Sequence, residues 1–172
     1  AKLLPYLPQH KIYCEPYCGG ASLFFAKHSS PVEILNDLDE GIVGLFRVLR
    51  DPEKFKRFHN LASLTPYSRK EYCNCQENYP KLTDEVERAW AWFVLARQSF
   101  SGKWGNSWGF IVTQSRRGMS GAVSRWLSAI DELPQVAARL KMAQIECLDG
   151  LECIKTYDTS DTLFYCDPPY LP

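Results

Sequence analysis

The sequence predicts an α/β fold in which a parallel sheet is interrupted by a block of helices. Three observations predict it. Short apolar runs at 11–14, 32–35, 143–147 and 162–166 read as strands, each ending at small, acidic or proline residues. The first run leads through a glycine turn into an apolar helix start. Residues 41–97 show helical spacing without strands, where a plainly alternating domain would place its third strand.

Bulk properties narrow the field only a little. The 172 residues, 45% of them hydrophobic, suffice for one domain with a real core. Twenty basic and twenty acidic residues cancel, so overall charge does not announce a nucleic-acid partner and charge must be read locally. No apolar run approaches membrane-spanning length and no signal peptide is visible. Seven scattered cysteines, with Cys14, Cys147 and Cys166 in apolar company, predict buried free thiols in a reducing, cytoplasmic setting. Cys73-Asn74-Cys75 lacks a second pair at zinc-ligand spacing, so no metal site is expected. The chain begins at Ala1 and stops two residues after Tyr170, which predicts a piece truncated at both ends.

The first element is the strand Lys11-Ile12-Tyr13-Cys14. Glu15-Pro16-Tyr17-Cys18-Gly19-Gly20 follows, then the helix start Ala21-Ser22-Leu23-Phe24. Strand, glycine turn and helix open a Rossmann-like unit. The glycines let backbone approach a ligand, and the helix amino end favours an anion. The second strand, Val32-Glu33-Ile34-Leu35, ends at Asn36-Asp37-Leu38-Asp39. An acidic residue about 20 positions after the glycine turn is placed to accept both hydroxyls of a ribose. Asp37 is the candidate, while Asp39 or Asp37 itself also suits the cap of the next helix.

Helices follow. Ile42, Leu45, Phe46 and Leu49 share one face. Asp51-Pro52 caps a second helix, Ser68 with Glu71 a third, and Asp84 a longer fourth with Val86, Trp90, Phe93 and Val94 on one stripe. Helical spacing returns at 121–130 and 134–142. From 98 to 124 it fails. From Arg97 to Arg125 the basic residues Arg97, Lys103, Arg116, Arg117 and Arg125 occur with no acidic residue between them, among glycines and the aromatics Phe100, Trp104, Trp108 and Phe110. This is the composition of a loop that grips phosphates while rings contact bases. A solvated basic loop with structural aromatics is the plain alternative.

Ala143-Gln144-Ile145-Glu146-Cys147 is the next strand. Asp149 after it either caps a helix with Glu152 or reaches a ligand at the strand end. The last strand, read as buried at 162–166, runs into Asp167-Pro168-Pro169-Tyr170. The prolines lock φ and remove two backbone donors, so a carboxylate, rigid carbonyls and an aromatic ring stand together at the carboxyl end of a strand. That set suits activation of an exocyclic amine on a nucleobase. Asp167 accepts one amine hydrogen and the Pro168 carbonyl the other, which frees the nitrogen lone pair. Charge-assisted hydrogen bonds contribute about 1.5–3 kcal/mol each. Stacking on Tyr170 adds roughly 1–3 kcal/mol, against a few kcal/mol to extrude the base. A strand ending in a Pro-Pro turn with Tyr170 merely packed is the alternative.

Taken together, these motifs resemble the Dam-like, D-P-P-Y family of DNA adenine methyltransferases nearly end to end. Glu15-Pro16-Tyr17-Cys18-Gly19-Gly20-Ala21-Ser22 is similar to the family's E-P-F-x-G-x-G-S cofactor loop, with Tyr17 for Phe and the second glycine at 20 instead of 21. Asn36-Asp37 resembles its ribose-binding Asp, and the segment through Leu148 and Asp149 resembles the lining of the cofactor's adenine end. Asp167-Pro168-Pro169-Tyr170 matches the catalytic motif in full. The resemblance implies S-adenosylmethionine as cofactor, held by Glu15, Pro16, Tyr17, Gly19, Gly20, Asp37, Leu148, Asp149 and Asp167. Asp167, Pro168 and Tyr170 are implied as catalytic. It implies double-stranded DNA as partner, contacted by Lys103, Trp104, Arg116, Arg117 and Arg125, and a Rossmann-like methyltransferase sheet. Residues 1–40 and 143–172 would form that sheet in part, and 41–142 a helical DNA-recognition insertion. Asp before Pro168 favours adenine, where the resemblance suggests Ser for cytosine amines and Asn for protein glutamines. RNA adenine as substrate, and a cofactor- or DNA-binding module without turnover, are the competing readings. A monomer is the simplest expectation.

Overall fold

The structure, a computed structural model, describes residues 2–100, 104, 106–112 and 115–169. In chain order its strands and helices begin β1 (Ile12–Glu15), α1 (Ser22–Ala26), β2 (Val32–Asn36), α2 (Glu40–Arg50) and α3 (Pro52–Leu64). Then come α4 (Arg69–Asn78), α5 (Glu85–Gln98), β3 (Ser115–Arg116), β4 (Met119–Ser120) and α6 (Gly121–Asp131). The last are α7 (Leu133–Leu140), β5 (Gln144–Glu146), α8 (Gly150–Tyr157) and β6 (Thr162–Phe164). The chain divides into two compact units, Ala1–Arg47 with Ala138–Pro172, and Val48–Ala137.

The first unit is a four-stranded sheet in the order β5-β2-β1-β6, every pairing parallel. All four strands therefore end on the same edge. Alternation sends side chains to opposite faces. Cys14 and Ile34 pack against Cys153 of α8, with Ile12, Val32 and Phe164 beside them. Tyr13, Glu15 and Glu33 point the other way into a buried polar layer. Lys27 donates to Glu33 Oε1 at 2.5 Å and sits 4.3 Å from the Tyr13 ring centroid. Arg139 forks onto both oxygens of Glu33 and lies 3.8 Å from the Phe24 ring centroid. Burial alone would raise the Glu33 carboxyl, but its bonds from Arg139, Lys27 and the Ser30 N–H outweigh that and hold it below the ordinary value of 4.5.

Two expectations shift here. The last strand is three residues long and only half buried, because among the described residues it pairs with β1 alone and lies at the sheet edge. Of the three thiols expected to be buried, Cys14 is, whereas Cys147 and Cys166 are exposed. Both of those follow a strand, at the open edge where the ladder has ended. All seven cysteines are free.

The second unit is helical. Its caps follow the sequence: Asp51 accepts from the N–H groups of Glu53 and Lys54, Ser68 from Glu71, and Asp84 from Val86 and Glu87. Phe58, Phe93 and Trp126 form its aromatic core, with ring centroids 5.6 and 5.3 Å apart in succession. The Trp126 indole N–H donates to the Thr65 carbonyl at 3.0 Å. The segment expected to be a patternless loop contains a β3–β4 hairpin. Arg117 (φ 55) and Gly118 (φ 73) make its tip, the two positive φ angles that a tight hairpin turn requires. Strands of two residues carry no periodicity, and Arg-Gly is a weaker turn signal than Asn-Gly.

Candidate active site

The carboxyl edge of the sheet holds a cavity of about 340 Å³, within the usual range of small-molecule sites. Each strand contributes the residues just after it: Pro16, Tyr17 and Gly19 after β1, Asp37 and Leu38 after β2, Asp149 and Gly150 after β5, Asp167 and Pro169 after β6. Residues as far apart in sequence as Pro16 and Asp167 thus share one wall, because parallel strands deliver their ends together.

Hydrogen bonds fix these loops to one another. The Gly19 N–H donates to Asp37 Oδ2 at 2.7 Å, closing the glycine turn on the end of β2. Asp37 Oδ1 accepts from the Asp39 N–H at 3.0 Å, and Asp39 Oδ1 from the Gly41 N–H at 2.7 Å. Asp39 caps the start of α2, while Asp37 holds the turn and lines the cavity. A carboxylate has about four lone-pair sites, so Asp37 keeps capacity for a ligand. Asp149 caps α8, accepting from the Leu151 and Glu152 N–H groups, and lines the cavity as well.

Asn36 is the residue that sequence reasoning missed. Its side chain is fully buried. Nδ2 donates to the Pro16 carbonyl at 2.8 Å and to the Leu148 carbonyl at 3.0 Å, and Oδ1 accepts from the Leu148 N–H at 2.8 Å. One amide therefore ties the loop after β1 and the loop after β5 to the end of β2. Leu148, expected at the cofactor, is not among the lining residues: these backbone bonds hold it, and it packs against the Cys14, Ile34 and Cys153 cluster. The only signal in the sequence is a polar residue ending an apolar run, and that suggested a ligand contact at its neighbour instead.

Some expected residues stand apart from the cavity lining. Glu15 is buried behind it, where Oε1 accepts from the Tyr13 hydroxyl at 2.7 Å and the Phe24 N–H at 2.8 Å. Burial pushes the Glu15 carboxyl up, against the pull of those two bonds. Gly20 has open space around it and no left-handed backbone. Ala21, by contrast, takes φ 50 and ψ 38. Glycine adopts that conformation freely, and another residue does so at about 1–2 kcal/mol. Pro168 lies between two lining residues. Tyr170 and Lys103 fall outside the described residues.

The second unit has its own cavity, of about 490 Å³, with Arg97 and Arg125 facing Tyr67, Phe100 and Phe110. Arg69 lies over Trp108 and Phe110, 5.1 and 5.6 Å from their centroids, and those two rings stack at 15°. Trp104 is half exposed and meets Tyr79 edge-on at 5.5 Å. Arg116 and Arg117 are exposed on the hairpin, where the Arg117 guanidinium donates to Ser128 at 3.4 Å. Of the expected DNA-binding residues that are described, only Arg125 lines this cavity.

No helix among the described residues is long and apolar enough to cross a membrane, and no described cluster of His, Cys, Asp and Glu could hold a metal ion. A relative named DNA N-6-adenine-methyltransferase, from Escherichia phage P1, is 24% identical over 181 residues. That match takes in 99% of this chain and 22% of the relative. A DNA adenine methylase from Vibrio cholerae serotype O1 is 23% identical over 171 residues, 97% of this chain and 59% of that protein. The chain therefore spans less than two thirds of either relative. The profile of the D12 class N6 adenine-specific DNA methyltransferases matches residues 1–172, and the chain, with its Rossmann-like parallel sheet, belongs to that family.

Proposed function

We propose that the chain carries the core of an enzyme that transfers a methyl group from S-adenosylmethionine to the exocyclic amine of adenine in double-stranded DNA. The observation that carries this reading is the single cavity in which Asp167 and Pro169 stand beside Pro16, Tyr17, Gly19, Asp37 and Asp149. The donor set fits the cofactor. Asp37 offers lone pairs to ribose hydroxyls, Asp149 and Leu38 flank the place for an adenine, and the backbone of the glycine turn is open to close approach.

The cofactor supplies an electrophilic methyl group when bound. The chain's own residues act on the nucleophile. Asp167, exposed at the end of β6, accepts a hydrogen bond from one N–H of the target amine, and the Pro168 carbonyl accepts one from the other. Of the two protons only one leaves the nitrogen as the methyl group adds, passing by way of Asp167 to solvent. The amine lone pair is then free of the ring, and the rigid Pro-Pro backbone holds that orientation. Tyr170 is assigned to stacking on the extruded base. Glu15 acts behind the site, anchoring the start of α1 through the Phe24 N–H. Lys103, Trp104, Arg116, Arg117 and Arg125 are assigned to DNA, with Arg97 beside Arg125 as a further phosphate contact. A monomer in the cytoplasm, with the DNA, is the simplest working state for this reading.

The test is to express the intact protein in a host lacking adenine methylation and map modified bases in its genomic DNA. N6-methyladenine in one fixed short context is expected. Unmodified DNA, with the protein soluble and binding S-adenosylmethionine, would overturn the DNA assignment and turn attention to RNA.

A further inference from the structure

Gly150 is the first residue of α8, and it is buried. The Tyr17 ring occupies the place of its missing side chain. A Cβ built on Gly150 would lie 2.3 Å from Cε1 and Cζ of Tyr17 and 2.6 Å from its hydroxyl oxygen. Close-packed atoms do not approach so near. The backbone of Gly150 is not left-handed, so space and not conformation requires glycine there. Gly20 and Gly44 have nothing near their own Cβ positions. Helix propensity argues the opposite way, because alanine is the better residue in a helix. No hydrogen bond to another described residue fixes the Tyr17 ring, so packing on Gly150 sets its place. Both residues line the 340 Å³ cavity.

We propose that Gly150 is a positioning residue for cofactor binding: its lack of a side chain lets the Tyr17 ring pack onto the start of α8 and stand as a fixed wall of the cavity. It acts through Tyr17 and touches no reacting atom. A methyl group at 150 forces the ring to move, and the wall moves with it. The proposal rests on the reading that this cavity takes S-adenosylmethionine.

The test titrates the intact protein with S-adenosylmethionine, comparing wild type, Gly150→Ala, Tyr17→Ala and the double variant. Gly150→Ala is expected to weaken binding about tenfold or more, in line with the cost of overpacking. KM for the cofactor should rise while KM for DNA stays the same. In the Tyr17→Ala background the same substitution should change affinity less than about twofold and leave the melting temperature equal or higher, as helix propensity dictates. Wild-type affinity in Gly150→Ala would overturn the proposal. So would an equal loss with and without the Tyr17 ring, which would mean a steric conflict elsewhere. If Gly150→Ala alone does not fold, rescue of folding in the double variant is the expected result, and a double variant that also fails to fold, or binds more than about twofold more weakly than Tyr17→Ala, would overturn the proposal. Wild-type protein that fails to bind the cofactor would overturn the reading and the proposal together. Wild-type binding with an unaffected Gly150→Ala would overturn the proposal alone.

Discussion

The cavity of the sheet unit and the cavity of the helical unit are built by different means. The first gathers three carboxylates, Asp37, Asp149 and Asp167, from three strand ends, and one buried amide ties the loops after β1 and β5 to the end of β2. The second gathers two guanidinium groups, Arg97 and Arg125, among aromatic rings. A chain with twenty charges of each sign thus lines one cavity with carboxylates and the other with guanidinium groups. A fixed, acidic strand edge suits a small ligand and a reacting amine. Arginines among rings suit a polyanion that must slide and be released. Net charge says nothing of this, because it averages the two.

Their ion pairs differ in the same way. In the sheet unit, Glu33 and Lys27 have side chains 1% and 4% exposed, and Arg139 17%. In the helical unit, Arg57 bridges Asp84 and Glu87 with all three side chains exposed to solvent. Arg139→Leu takes the partner from the buried Oε2 of Glu33, while Lys27 and the Ser30 N–H still hold Oε1, so it should cost about 1–3 kcal/mol in urea denaturation. Arg57→Leu should be hard to separate from wild type. Equal costs would break the comparison. The pH dependence sharpens it. The Glu33 carboxyl lies below 4.5 in the folded state, so its contribution is fully present above that pH and lost as pH falls through the folded value. The stability gap between wild type and Arg139→Leu should therefore narrow in acid. A gap that stays constant down to the acid transition would remove Glu33 from the cause.

A smaller effect is expected from the hairpin. Changing Arg116 and Arg117 to Gln should lower the slope of log affinity for DNA against log salt by about 0.9 for each phosphate these arginines neutralise, and leave cofactor affinity alone. An unaltered slope would take β3–β4 out of the interface.

The sheet edge was legible because its information is local. Glycine turn, Asp37, Asp149 and Asp167-Pro168-Pro169 each sit within a few residues of an apolar run, and parallel strands bring such positions together whatever lies between them. What escaped was relational. Asn36 matters through partners 20 and 112 residues away, and Gly150 through a ring 133 positions earlier in the chain. Neither partner is written in the residue's own neighbourhood. The hairpin escaped because two-residue strands have no pattern to read. Cys147 and Cys166 misled because apolar neighbours predict burial only while the strand continues.

The central claim is that the end of β6 does the chemistry, while binding of cofactor and DNA rests chiefly on other residues. Asp167→Ala in the intact protein tests it most directly, with methyl transfer, cofactor affinity and DNA affinity measured on one preparation. The account predicts that transfer falls by about 10²–10⁴-fold while both affinities stay within a few fold. Turnover at the wild-type rate would contradict it.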